Sequence, residues 1–293
     1  MVHDPPGRRI GEAFAEAAKA IGAAVAVERV PVAERSGVEP APAVAARMRS
    51  ADVALLVTKR SLSWTEARRA ATAGGTRVAS MPGLTEETLL RTLTIDYETI
   101  RARVNRICDR LDAAGRARLV SDAGTDLCLS IEGRQAHGRK GGLYREAGQW
   151  GNLPAGEAFL APVEGSASGV YVVDASHAGV GRLERPIRIQ VEAGRATRIE
   201  GGEEAERLRR LLESVGDPAA FNLAELGIGC NPAARICGLT LEDEKVLGTA
   251  HLALGRNDLF GGTVGVAVHL DGILTRPRIW LDGEELEVET GEG

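Results

Sequence analysis

A histidine and an aspartate stand two residues apart, as His269 and Asp271, in the apolar run 266–274. This run is typical of a β-strand, in which residues i and i+2 share a face. The imidazole and the carboxylate therefore point to the same side of the strand, where burying both is costly unless they pair or coordinate a cation. The spacing predicts either a structural hydrogen bond between the two or a pair of metal ligands.

Three further ionisable residues stand alone in apolar segments that are rich in glycine: Glu157, Glu225 and His251. Taken singly, each is a weak signal, and a lone buried histidine is usually a satisfied core group. Taken together with the strand 266–274, they indicate one inward-facing site in the second half of the chain. Carboxylates and imidazoles without thiolates are the ligands of Zn, Mn, Co or Fe(II) centres.

The segment 137–142 combines a histidine with Arg139 and Lys140 among glycines. We predict a solvated basic loop here. The alternative is a loop that binds an anion or a substrate carboxylate, with Arg139 as the contact.

Four segments, taken in this order, resemble the aminopeptidase T family of metallo-aminopeptidases, also labelled leucyl aminopeptidase: 152–157, 225–232, 248–255 and 269–271. The resemblance is good over residues 150–290 and loose over the first 120. It implies a hydrolase of the metalloprotease class that removes N-terminal residues from small peptides. It also implies a homodimer.

The same resemblance implies a two-metal site with Zn, Co or Mn, whose ligands here are Glu157, Glu225, His251, His269 and Asp271. The metal ions would lower the pKa of a bridging water and polarise the scissile carbonyl. One of the carboxylates, Glu157 or Glu225, would act as the catalytic residue that accepts the proton of that water.

The chain departs from the peptidases at Asp258, where they carry a tyrosine seven residues after the first histidine. A phenol can donate a hydrogen bond to a developing oxyanion, whereas an ionised aspartate only accepts one. If Asp258 points into the site, we expect weak activity on amino-acid amides and contact with a cationic substrate group. The alternative is a turn at 257–258 that points to solvent.

Two alternative functions follow from this departure. A relative of the same fold, 2,5-dihydroxypyridine 5,6-dioxygenase, uses a single Fe(II), for which His251, His269 and Asp271 would form a two-histidine, one-carboxylate triad. Its substrate would be a small hydroxylated heteroaromatic molecule. The other alternative is a non-catalytic protein that binds a metal or a small molecule.

The elements that must position these residues change in type along the chain. Helix and strand signals alternate before residue 115, whereas strand runs separated by Gly, Asn and Asp turns dominate beyond it. We therefore predict an α/β N-terminal layer with a parallel sheet in residues 1–120 and a β-rich (α+β) metal-binding domain in 121–293. Residues 4–7 look like the loop after a first strand, yet almost no strand precedes them. Either the sheet lacks that strand or the true start lies upstream.

Composition excludes several other classes of function. Lys plus Arg number 36 against 41 Asp plus Glu, giving a net charge of −5, and aromatics are 3%, so nucleic acid is not expected as a partner. No apolar stretch approaches the roughly 20 residues that span a bilayer, and no signal peptide is recognisable. With four cysteines and no disulfide framework, we expect a cytoplasmic protein without a membrane partner.

Overall fold

The computed structural model of the protein describes residues 1–288. Its α-helices are α1 (Arg8–Ala20), α2 (Pro42–Arg49), α3 (Glu66–Ala73), α4 (Glu86–Thr92), α5 (Tyr97–Asp112), α6 (Glu203–Glu213) and α7 (Thr240–Asp243), and a 3₁₀-helix spans Pro218–Phe221. Its strands are β1 (Val2–His3), β2 (Glu28–Arg29), β3 (Val53–Val57), β4 (Arg77–Ser80), β5 (Arg116–Val120), β6 (Asp126–Ser130), β7 (Trp150–Asn152), β8 (Glu157–Leu160), β9 (Ser168–Val173), β10 (Ser176–His177), β11 (Gly181–Arg182), β12 (Ile187–Glu192), β13 (Arg195–Glu200), β14 (Leu223–Gly229), β15 (Thr249–Gly255), β16 (His269–Thr275), β17 (Arg278–Leu281) and β18 (Glu284–Glu285).

One compact unit consists of Met1–Tyr97 and Gly142–Ala155. Its sheet has the strand order β2-β1-β3-β4-β7, and all neighbouring strands are parallel. Leu56 and Val78 on adjacent strands are fully buried and belong to one apolar cluster with Met48 of α2. Strand β1 lies between β2 and β3, so the possibility that the sheet lacks its first strand is wrong.

The other unit consists of Glu98–Gly141 and the chain from Gly156 onward. It contains a six-stranded sheet of order β11-β10-β16-β15-β14-β8 and a seven-stranded sheet of order β13-β12-β9-β6-β5-β17-β18. Both sheets are antiparallel throughout the residues described.

The predicted fold class, an α/β N-terminal layer followed by a β-rich part, is confirmed. The two units are not two continuous segments of the chain, as the predicted division into 1–120 and 121–293 would require. Strand β7 lies beyond residue 121 in sequence but pairs in parallel with β4. The expected boundary between residues 120 and 121 falls within the second unit, at the end of β5, which pairs with β6 and β17.

Membrane-spanning helices are absent from residues 1–288, because no helix there combines the length and the apolar character that crossing a bilayer requires.

Candidate metal centre

Strand register brings the isolated ionisable residues onto one face of the six-stranded sheet. Ala253 on β15 lies opposite both Glu225 on β14 and Asp271 on β16, so these three positions form a row across the sheet. Since residues i and i+2 share a face, His251 and His269 lie on that face as well. Glu157 joins them because it lies opposite Gly229, four residues after Glu225.

Glu225, His269 and Asp271 form the first of two groups of side chains that could hold a metal ion. His269 Nε2 lies 3.2 Å from Glu225 Oε2 and 3.3 Å from Asp271 Oδ1. One ligand atom from each residue lies within 4.8 Å of the others. The two carboxylates are buried, whereas the side chain of His269 is 26% exposed. The group is therefore enclosed by protein but can be reached from solvent.

The ring of His269 is oriented by the main chain. Its Nδ1 lies 2.9 Å from the carbonyl oxygen of Arg256. A carbonyl only accepts, so in the neutral imidazole Nδ1 carries the proton and Nε2 keeps its lone pair for a cation. A backbone partner on the second ring nitrogen is the usual support of a metal-binding histidine.

Electrostatics around the first group favour a cation. Burial alone would lower the pKa of His269, but Asp271 and Glu225 outweigh it and raise that pKa well above its usual value. Burial would raise the pKa of Asp271, but His269 lowers it below its ordinary range. Burial would likewise raise the pKa of Glu225, but the hydrogen bonds of His251 and His269 outweigh it and lower that pKa. Both carboxylates are therefore ionised at neutral pH, and a divalent cation would balance their charge. The donor set and the charge both fit a divalent metal.

His251 belongs to a second group and contacts Glu225 of the first. Its Nε2 is 3.1 Å from Glu225 Oε1 and 3.5 Å from Glu157 Oε2. The ring is fully buried, and its Nδ1 has no hydrogen-bond partner within residues 1–288. The first group therefore differs from the predicted iron triad of His251, His269 and Asp271. It contains Glu225 instead of His251.

The second group consists of Glu157, Glu244 and His251. Lys245 enters it as well, with Nζ 2.7 Å from Glu157 Oε1 and in contact with Glu244 Oε1. Sequence reasoning named neither Glu244 nor Lys245, since a run of charges before a strand usually indicates a solvated surface. Their position directly before the His251 strand was the available signal.

Aromatic rings lie against the first group. The ring of Phe260 contacts His269 edge-on at a centroid distance of 5.6 Å, and Phe159 lies 5.7 Å from Phe260. His137 packs on Phe159, and its Nε2 lies 3.1 Å from the carbonyl oxygen of Phe260. The solvated loop expected at His137 is therefore wrong for this residue, because the loop folds its imidazole onto the two phenylalanines.

Arg139 and Asp258, the expected substrate contacts, are engaged elsewhere. Arg139 donates to Asp109 Oδ1 at 2.7 Å and to Asp112 Oδ2 at 2.5 Å, both on α5. Both oxygens of Asp258 accept from the guanidinium of Arg256 at 3.0 Å, and Asp258 is exposed. Neither residue belongs to the two groups, and a substrate role for them stays a prediction.

Glu164 holds the connection between β15 and β16, which carries Phe260. It accepts from Asn257 Nδ2 at 3.0 Å and from the N–H of Thr263 at 2.7 Å, and it pairs with Arg134. Burial would raise the pKa of Glu164, but these hydrogen bonds outweigh it and lower that pKa to about 2. The carboxylate therefore fixes this connection at neutral pH.

Replacing Glu164 by alanine is expected to lower the free energy of unfolding by about 1–3 kcal/mol, because the buried amide of Asn257 loses its acceptor. A folded-state pKa below the unfolded value stabilises the protein above about pH 4.5, and this contribution is lost as the pH falls toward 2. Urea unfolding at pH 7 and pH 3 measures both effects. Glu200→Ala, at an exposed ion pair on β13, is the control, with an expected change within about 0.5 kcal/mol. An equal loss in both variants would contradict this role.

Comparison with known proteins gives a family match over nearly the whole chain. The model of a family described as NicX, 2,5-dihydroxypyridine 5,6-dioxygenase, matches residues 8–292. A curated protein named 2,5-dihydroxypyridine 5,6-dioxygenase, from Pseudomonas putida KT2440, is 31% identical over 158 residues. That match covers 48% of this chain and 44% of the relative, so it spans less than half of the relative's length.

Two solved structures share the fold. The structure of 2,5-dihydroxypyridine dioxygenase from Pseudomonas putida KT2440 superposes with a TM-score of 0.83 at 24% identity, covering 97% of this chain and 88% of that one. AmpT from Thermus thermophilus superposes with a TM-score of 0.60 at 18% identity, covering 95% and 88%. At these identities both likenesses show the fold alone.

The prediction of an aminopeptidase is wrong, and with it the assignments to hydrolases and metalloproteases, because the matching family is a dioxygenase family. The likeness to AmpT supports the aminopeptidase-like fold that the motifs suggested. A shared fold places similar strand motifs at similar positions in proteins of different chemistry. The motifs therefore identified the fold and the face of the sheet without identifying the reaction.

Proposed function

The chain belongs to the 2,5-dihydroxypyridine 5,6-dioxygenase family, and on that premise we propose that it is a metal-dependent enzyme that opens a hydroxylated pyridine-type ring with dioxygen. The observation that carries the proposal is the convergence of Glu225, His269 and Asp271 on one point beside an aromatic wall. The proposed substrate is therefore a small flat ring and not a peptide.

Glu225, His269 and Asp271 are the proposed ligands of one divalent ion, and Fe(II) is the proposed identity. Imidazole and carboxylate donors without thiolate suit this ion. When bound, Fe(II) supplies the one-electron chemistry that allows a closed-shell ring to react with dioxygen. The main-chain contact of His269 Nδ1 keeps Nε2 directed at Glu225 and Asp271.

Phe159 and Phe260 are proposed to orient the substrate. Aromatic rings favour offset or edge-on contacts with a flat ring and exclude water from one of its faces. Phe260 already contacts His269 edge-on, so a ring resting on this wall lies near the ligands. The wall thereby selects for a planar substrate over a flexible peptide.

Glu157 is the proposed acceptor of the proton from a substrate hydroxyl. Its Oε1 accepts from the ammonium of Lys245 at 2.7 Å, which holds the carboxylate in place. Its Oε2 faces His251 Nε2 at 3.5 Å, and 18% of its side chain is exposed. A carboxylate that can be reached from solvent can take a proton at Oε2.

The proposal is tested by loading metal-free protein anaerobically with Fe(II), Mn(II), Co(II) or Zn(II) and recording dioxygen uptake with 2,5-dihydroxypyridine. We expect uptake with Fe(II), little with Zn(II), and none with unsubstituted pyridine, which has no hydroxyl to deprotonate. Equal rates with Zn(II) and Fe(II) would rule out redox chemistry at the centre. The homodimer that the earlier resemblance implied stays a prediction.

A further inference from the structure

Lys245 is a buried lysine whose charge the proposed reaction does not fully explain. Its side chain is 1% exposed, and its ammonium contacts the carboxylates of Glu157 and Glu244. Taking an ammonium out of water costs several kcal/mol unless partners compensate for it. A cation is therefore maintained at this point of the fold by two carboxylates.

The main chain around Lys245 is held on both sides. The N–H of Lys245 donates to the carbonyl of Glu242 at 2.9 Å, and the carbonyl of Lys245 accepts from the N–H of Asn231 at 2.8 Å. The side chain therefore leaves a main chain that is tethered on both sides. Its amine is a fixed part of the second group.

The two groups are similar in size, but the second already contains a cation of the chain, the ammonium of Lys245. In each, three donor atoms lie within 4.8 Å of one another. Lys245 pairs with two of the three donors in the second group. By contrast, the ion pairs of Glu225 and Asp271 within residues 1–288 involve histidines alone. The first group offers its donors to an external cation, whereas an ammonium of the chain already occupies the second.

Charge balance favours the same division. The two groups together contain four carboxylates, from Glu157, Glu225, Glu244 and Asp271. A second divalent ion beside the ammonium would place two cations on the carboxylates of Glu157 and Glu244, at a repulsion of several kcal/mol.

We propose that the ammonium of Lys245 takes the place of a second metal ion, so that the centre holds one ion at Glu225, His269 and Asp271. Removing the amine then opens a second metal site at Glu157, Glu244 and His251. This inference rests on the proposed function only in assuming that the first group binds a metal. It makes Lys245 the residue that determines the metal stoichiometry.

The test is a count of bound ions in the full chain. Metal-free wild type and Lys245→Met are dialysed against excess Mn(II), and the bound metal is measured by elemental analysis. We expect one ion per chain in the wild type and two in Lys245→Met, whose side chain has a similar volume and no charge. The double variant Lys245→Met with Glu244→Gln lacks one ligand of the new site and should return to one ion. Lys245→Arg keeps the cation and should also bind one.

The outcomes separate this inference from the proposed function. Two ions in the wild type overturn the inference whether or not any variant folds, and so does a single ion in Lys245→Met whose circular dichroism matches the wild type. No ion in the wild type overturns the metal-dependent function instead. Even then, the difference of one ion between Lys245→Met and wild type decides whether the ammonium blocks a site.

Discussion

Replacing His269 by alanine is expected to leave the protein folded but unable to retain its metal ion. The residue begins β16 and its side chain is 26% exposed, so its loss removes the edge-on contact with Phe260 but leaves the buried positions of the strand in place. Its Nε2 contacts both carboxylates of the first group, and without it two like charges remain as the only donors. Removing a residue that only hydrogen-bonds to a metal ligand typically lowers metal affinity about 10–100-fold. Removing a ligand itself should therefore lower it at least about 100-fold.

Elemental analysis after dialysis and circular dichroism measure the two parts of this prediction. His137→Ala is the matched control, since His137 lies in the same unit and packs on Phe159 but belongs to neither group. The control should keep the wild-type metal content. Metal retention in His269→Ala equal to that of the control would show that the first group is not the metal centre.

Replacing Gly227 by alanine is expected to damage the centre from the neighbouring strand. Gly227 on β14 lies opposite His251 on β15. A Cβ at this glycine would lie 1.9 Å from His251 Nε2, and the ring of His251 is fully buried. Overpacking of this kind costs about 1–3 kcal/mol of stability. Displacing His251 from Glu225 should weaken metal binding about 10–100-fold.

Urea unfolding and metal titration of Gly227→Ala measure these losses. Gly115→Ala is the control, because the nearest atom to its new Cβ is 3.8 Å away. If the clash is the cause, adding His251→Ala to Gly227→Ala should restore stability relative to the single variant, although not metal binding. Wild-type stability and affinity in Gly227→Ala would contradict the observed packing.

The face that carries the site could be predicted from local sequence. The two-residue spacing of His269 and Asp271 places both side chains on one side of a strand, and the structure has them 3.3 Å apart at His269 Nε2 and Asp271 Oδ1. The isolated residues Glu157, Glu225 and His251 lie on the same face. Polar groups in apolar strands are costly unless they meet, which is why this inference needed no knowledge of the register.

The partners of that face could not be predicted, because they depend on contacts between distant parts of the chain. Lys245 reaches Glu157 across 88 residues, and no local pattern distinguishes a buried charge run from a solvated one. Strand β7 pairs with β4, although the intervening chain has changed from alternating helices and strands to β-rich structure. Register and strand order are decided by packing, whereas sequence periodicity specifies only the face.

The sequence motifs also could not predict the reaction. The tyrosine missing at Asp258 argued against peptide hydrolysis, and Arg256 holds both carboxylate oxygens of Asp258 in an exposed ion pair. This departure pointed away from the peptidases but named no substrate. The reaction depends on the side chains at the site, and proteins of the same fold can catalyse different reactions.

The central claim, that this chain opens a ring with dioxygen at its metal centre, is tested most directly by isotope labelling. The Fe(II)-loaded protein is incubated with 2,5-dihydroxypyridine under ¹⁸O-labelled dioxygen in ordinary water. The mass of the ring-opened product is then measured at early times by mass spectrometry. We expect both atoms of one labelled dioxygen to appear in the product. A product that carries oxygen from water alone would contradict it.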